Sequence, residues 1–261
     1  MAKKSSWAPF PFPDKGYQFS ASSIKKSWDR LHKGDCEPFP KDAATLDAWL
    51  AYHAGDFERA FELGTAAGGA GLNAANKAIC IYANYLEDDD RKKLASFGGV
   101  AARCEKQQKD DPRNANAFYL HAYALGRYAQ GVSIVKALKD GIGDKVKNSL
   151  GTAIRLAPKH ADAHIGLGTY HAEIIDKVGA MIGGLTYGAK KDTGVEMFEA
   201  AIKLNPDSAI AKVEMANGLI LMFGKGKMKE AEALYQAAAK CAPKDAMERL
   251  DIEMAKSELE D

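Results

Sequence analysis

The chain has 261 residues, 46% of them hydrophobic and 27% charged, enough for one elongated domain or two small ones. Lys+Arg 36 against Asp+Glu 35 leaves a formal net charge of +1, so no global field draws it to nucleic acid or an anionic membrane, and no apolar run is long enough to span a bilayer. Cys36, Cys80, Cys104 and Cys241 form no C-x-x-C pair, which excludes zinc ribbons and thioredoxin-type redox pairs; the last three fall at helix-pattern positions and read as reduced core residues. The start carries Lys3 and Lys4 but no apolar signal region, so a cytoplasmic protein is expected.

Residues 1 to about 20 combine Trp7, Phe10, Phe12, Tyr17 and Phe19 with Pro9, Pro11 and Pro13, a composition that favours extended backbone over helix. Aromatic side chains this dense need cover. The expectation is an arm packed along the rest of the chain, or one offered to a partner or to a second subunit of a homo-oligomer. Ser23 is placed to cap a short helix whose Ile24, Trp28 and Leu31 share a face, with Gly34 at its end. Residues 1–40 are therefore read as an N-terminal arm with a short helix, and residues 41–261 as a helical domain. Its first hairpin spans residues 44–67, with Trp49, Tyr52, Phe57, Phe61 and Leu63 as bulky residues. Two helices follow near 73–86 and 91–109. Between them lies Glu87-Asp88-Asp89-Asp90, where Asp89 and Asp90 read as helix caps rather than metal ligands.

Beyond residue 110 prolines organise the chain. Asp111-Pro112-Arg113-Asn114, Ala157-Pro158-Lys159-His160, Asn205-Pro206-Asp207-Ser208 and Ala242-Pro243-Lys244-Asp245 each follow one Ala-rich helical pattern and precede another. Proline lacks the amide proton a helix interior needs and clashes with the preceding turn, so it ends one helix and permits the next. Ahead of three of these prolines stand Ala153, Ala201 and Ala238, each preceded by a bulky partner on the same helix face: Leu150, Phe198 and Tyr235. With Gly55-Asp56-Phe57-Glu58-Arg59-Ala60, this pattern resembles the tetratricopeptide repeat (TPR). The resemblance implies a solenoid of helical hairpins that bury their faces on one another. The prolines are spaced by 46, 48 and 37 residues, against about 34 in that repeat. The extra residues fall between the two helices of a hairpin, at 126–140 and 177–192, and so map to one end of the solenoid.

From Asn114 onward the likeness is more particular. Ala161-Asp162-Ala163-His164-Ile165-Gly166-Leu167-Gly168-Thr169-Tyr170, then Leu185-Thr186-Tyr187-Gly188, then Val195-Glu196-Met197-Phe198-Glu199-Ala200-Ala201 resembles the TPR-type T-component of TRAP transporters and the regulator of microtubule dynamics family. That resemblance implies a ligand- or protein-binding scaffold without catalysis.

The histidines at 121, 160, 164 and 171 invite a metal reading, but His164 and His171 stand about 10 Å apart along a helix axis and cannot share one zinc ion. Glu173 and Asp176 have the chemistry of an acid/base pair, yet no nucleophile motif, P-loop, dinucleotide fingerprint or H-E-x-x-H helix accompanies them. No catalytic residue, metal or cofactor is assigned.

What remains is the groove. By the TPR resemblance, the first helix of each hairpin lines the inner surface with Asn116, Tyr119, Tyr123 and Arg127, then Ile165, Thr169 and Glu173, then Val213, Asn217, Ile220 and Leu221. This lining lacks the lysine of the chaperone-binding carboxylate clamp, so chaperone C-termini are disfavoured. The expectation is an all-α, TPR-like solenoid of about five hairpins with a capping helix from Asp245, where Glu248 completes a capping box. Its concave face binds a protein or peptide partner. In the alternative, the insertions enclose a small apolar or amphipathic ligand whose polar end meets Arg127 and Glu173. An enzyme is the least supported reading.

Overall fold

A computed structural model describes residues 7–260, apart from the side chains of residues 134, 135 and 138; the basic start with Lys3 and Lys4 lies outside the described residues. A short helix, α1 (Ala21–Leu31), precedes the hairpins. These pair α2 (Ala43–Ala54) with α3 (Phe57–Ala67) and α4 (Gly71–Tyr85) with α5 (Asp90–Asp110). The third hairpin runs from α6 (Ala115–Gln130) through the short α7 (Ile134–Lys139) to α8 (Ile142–Leu156). The fourth joins α9 (Ala161–Ile182) to α10 (Lys191–Leu204), and the fifth joins α11 (Ala209–Phe223) to α12 (Met228–Ala239), with α13 (Ala246–Ser257) as the cap. The described residues contain no β-strand.

The proline corners work through the residue two positions on. Asn114, His160, Ser208 and Asp245 each accept a hydrogen bond from the backbone N–H three residues later, at 3.2, 3.1, 3.1 and 2.8 Å. One device thus ends a helix and starts the next. Asp89 caps α5 in the same way. Two cap expectations change in detail. Ser20, not Ser23, is the N-cap of α1, with Ser23 as its reciprocal partner. Asp245 caps α13, but the Glu248 carboxylate accepts from the Lys244 N–H rather than from Asp245 and also binds Arg30.

The repeat seams are built from small residues against large ones. Ala153, Ala201 and Ala238 are fully buried. Phe198 is fully enclosed between Gly168 and Gly218, where an added Cβ would stand 2.8 and 2.4 Å from its ring. Such close approach is available only to glycine.

The aromatic arm packs on its own chain. Trp7 stacks on Tyr82 with ring centroids 4.1 Å apart, Phe10 lies against Gly55 and Phe57, and Phe12 lies under the Arg249 guanidinium at 4.9 Å. The arm therefore touches both the first hairpin and α13, and the solenoid curls until its two ends meet.

Candidate functional site

Several contacts close the curl. Arg30 of α1 binds Glu248 of α13 at 2.6 Å, the Tyr52 hydroxyl reaches the Met247 sulfur at 2.8 Å, and the Tyr85 hydroxyl donates to Asp251 at 2.6 Å. Behind them runs a buried chain of hydrogen bonds. Asp35 contacts His32 Nδ1 at 2.9 Å, His32 Nε2 meets His53 Nε2 at 3.2 Å, and His53 Nδ1 contacts Asp245 at 2.7 Å. These groups come from the loop after α1, from α2 and from the α13 cap.

The same loop, residues 32–37, crosses the N-terminal ends of the inner helices and forms a floor. Gly34 O accepts from the Asp162 N–H at 3.0 Å, Lys77 pairs with Asp35 at 2.5 Å, and the Glu37 carboxylate accepts from Asn73 and Asn116 at 2.8 and 2.6 Å. Burial works against the Asp35 carboxylate, but Lys77 and His32 beside it outweigh burial and hold it well below the usual range. Glu37 has no such cation in contact. Burial, reinforced by the Asp35 charge, pushes it up to about 8.

Above the floor lies a cavity of about 340 Å³ between α4, α6, α9, α11 and α13, closed on one side by α7 and α8. Six of the expected lining residues surround it: Tyr119, Tyr123, Arg127, Ile165, Thr169 and Glu173. Tyr85, Tyr170, Asp162, Asp251, Lys77 and Glu214 join them. Arg127 binds Glu214 at 3.0 Å, Thr169 donates to the other Glu214 oxygen at 3.0 Å, and Gln130 donates to Glu173 at 3.2 Å. Burial raises Asp162 to about 6 and Asp251 to about 8; for Asp251, Asp245 and Glu248 add repulsion. Cys80 also lies on the wall, and burial pushes its thiol well above the ordinary value, which makes it a poor nucleophile.

The other expected lining residues lie elsewhere. Asn116 is buried in the floor, bonded to Glu37, to Asp35 O and to His160. Val213 is fully buried in the cluster with α12 and α13, Ile220 packs on that cluster, and Asn217 accepts from the Tyr235 hydroxyl. Leu221 packs with the α9–α10 core. The α11 face that meets the cavity carries Ile210 and Glu214 instead, because α12 and α13 cover the expected one. Sequence reasoning missed the floor, since Asp35, Glu37, Lys77 and Asp251 are scattered through the chain. The available signal was His32-x-x-Asp35-x-Glu37, three titratable residues within six positions shortly before the first hairpin.

The four histidines serve separate structural roles. His160 caps α9, His121 bonds Ser149, His164 contacts Pro158 O, and His171 accepts from the Lys190 N–H.

Residues 188–246 match the family model for the tetratricopeptide repeat. The architecture is that of a TPR-like helical solenoid. A thermophilic TPR protein from Thermus thermophilus aligns with a TM-score of 0.58 at 17% identity, over 82% of this chain and 97% of that one. YrrB, described as a TPR protein with an unusual peptide-binding site, aligns with a TM-score of 0.39 at 15% identity over 91% and 100%. A monomeric mutant of IFIT1 with Gppp-AAAA gives 0.42 at 17% over 85% of this chain and 56% of that one. No curated protein matches the chain significantly. The T-component and microtubule-regulator resemblances gain no support from these matches.

Proposed function

We propose that the protein is a non-catalytic TPR-like scaffold that holds, in its concave cavity, an apolar segment of a protein partner carrying one basic side chain. The observation behind this reading is the charge of the wall. With Lys77 matched by Asp35 and Arg127 by Glu214, the carboxyls of Asp162, Glu173 and Asp251 remain on the wall with Tyr85, Tyr119, Tyr123 and Tyr170; burial holds the proton on Asp251 up to about pH 8, and an ammonium group brought beside it favours the ionised form. A protonated amine on an apolar stem complements both the carboxyls and the aromatic faces. Partner and cavity together then resemble a small buried core with one ion pair.

The test is titration calorimetry with short apolar peptides that carry a single lysine or the same lysine acetylated. The lysine peptides bind, the acetylated ones do not, and Asp162→Asn with Asp251→Asn weakens binding about tenfold or more. Failure of every lysine peptide to bind the folded protein refutes the partner reading. A second reading, a small amphipathic amine, is favoured by the floor that residues 32–37 put across the groove, because a floor stops a long peptide from threading through. Binding of simple alkylamines with no binding of any peptide would select it.

A further inference from the structure

The end of the solenoid away from the floor carries the connections between inner and outer helices. Successive hairpins run in the same sense, so the segments 131–147, 176–192 and 224–230 gather at this end. They are also tied to one another: Lys147 Nζ donates to Tyr187 O at 2.8 Å, and Lys191 and Lys227 place their ammonium groups 4.9 and 6.0 Å from the Phe223 ring.

Two properties of this face go together. First, α9 breaks at Gly179, where φ 80 and ψ 156 re-aim the chain, and the short helical stretch beyond it stands outward. Met181 is 79% exposed, Ile182 54% and Leu185 85%; at one-, three- and four-residue offsets they share one side of the turn. Phe223 and Met228 are exposed at the same end. Second, the three segments carry ten lysines against five carboxylates, in a chain whose formal net charge is +1. Among the described residues, Lys190, Lys191, Lys225 and Lys229 have no carboxylate within ion-pair distance. The near-neutral total conceals a local basic field.

We propose that this face seats the protein on an anionic lipid surface, with Met181, Ile182 and Leu185 inserted at the headgroup level and the surrounding lysines against the headgroups. An apolar tip that stands proud of the surface needs a medium that deforms around it, and flexible lysine ammonium groups match a fluid layer of negative charge. Gln130, Glu173 and Lys177 mark the cavity rim at this same end, so the mouth faces the surface on which the protein sits. The proposal is independent of what fills the cavity.

The test is co-sedimentation of the full chain with phosphatidylcholine vesicles, with and without phosphatidylserine. Binding is expected with phosphatidylserine only, and it falls as salt rises because screening shortens the reach of the lysines. Met181→Ser with Leu185→Ser keeps every charge, and Lys190→Gln with Lys191→Gln keeps the apolar tip; each pair lowers vesicle binding about tenfold or more while the thermal melting curve stays unchanged. Absence of binding to anionic vesicles at low salt overturns the proposal. So does binding that the Ser pair leaves undiminished. A wild-type dimer in solution that the Ser pair converts to monomer also overturns it, because the tip then serves a second copy of the chain.

Discussion

The two halves of the molecule are held together by different physics. From α8 to α12 the seams are apolar and nearly free of charge: Phe198 sits between two glycines, and Leu150 and Tyr235 lie on buried alanines. At the closure, by contrast, Asp35, Glu37, Lys77, His32, His53, Asp245 and Asp251 are all buried. A repeat seam has to be the right shape, and any neighbour of the same pattern fits it. A ring has to find one particular partner, and buried charges do that because each leaves an unpaired group wherever it meets the wrong one.

Breaking one charge should therefore cost more than disturbing one seam. Lys77→Met leaves Asp35 without its ammonium partner and should lower the unfolding free energy by about 3 to 5 kcal/mol, the loss typical of a buried pair with one member removed. Equilibrium denaturation by urea reads this directly, and a loss under about 1 kcal/mol would mean that His32 alone satisfies Asp35. In the repeat half, Ala201→Trp overfills a site with no free surface and should cost about 1 to 3 kcal/mol or more. An unchanged melting temperature would place Ala201 outside the seam.

The third prediction concerns pH. Glu37 and Asp251 have folded values near 8 and so hold protons that the unfolded chain has released. Between the ordinary carboxylate range and pH 8 the folded state binds more protons, so stability falls as pH rises, and the contribution is lost by pH 8. Burial lowers His32, His160 and His171 to about 4, which acts in the opposite sense, but only below the ordinary histidine value near 6.5. The window from about pH 6.5 to 8 thus isolates the two carboxyls. Glu37→Gln and Asp251→Asn, whose amide oxygens still accept from Asn73, Asn116 and Tyr85, should flatten the decline in melting temperature there. An equal slope in wild type and variants would mean that neither carboxyl titrates in that window.

The same contrast decides what was legible in the sequence. The repeat half is written locally, because a proline, a cap two residues on and a bulky residue three before an alanine all lie within one helix and its corner. Tyr119, Tyr123, Arg127, Ile165, Thr169 and Glu173 follow from that register and line the cavity. The register fails on α11, a helix apolar on every side, whose sequence carries no sign of which face α12 and α13 cover. The floor is illegible for a deeper reason. Asp245 reaches His53 only because the solenoid curls until its ends meet, and curvature is a sum of small packing angles that no local pattern records.

The contacts of the two buried imidazoles with Asp35 and Asp245 set which nitrogen of each ring carries the hydrogen. Asp35 and Asp245 are both held below the ordinary carboxylate range, burial being outweighed in each by the cations and rings beside them, so each is ionised and only accepts. Both Nδ1 atoms must then carry hydrogen. The two rings meet at their Nε2 edges at 3.2 Å, and burial keeps His32 from taking up a second hydrogen above about pH 4. The two ends of the chain are thus latched by a carboxylate at each side of the ring pair, a clasp that acid undoes by taking away those two negative charges.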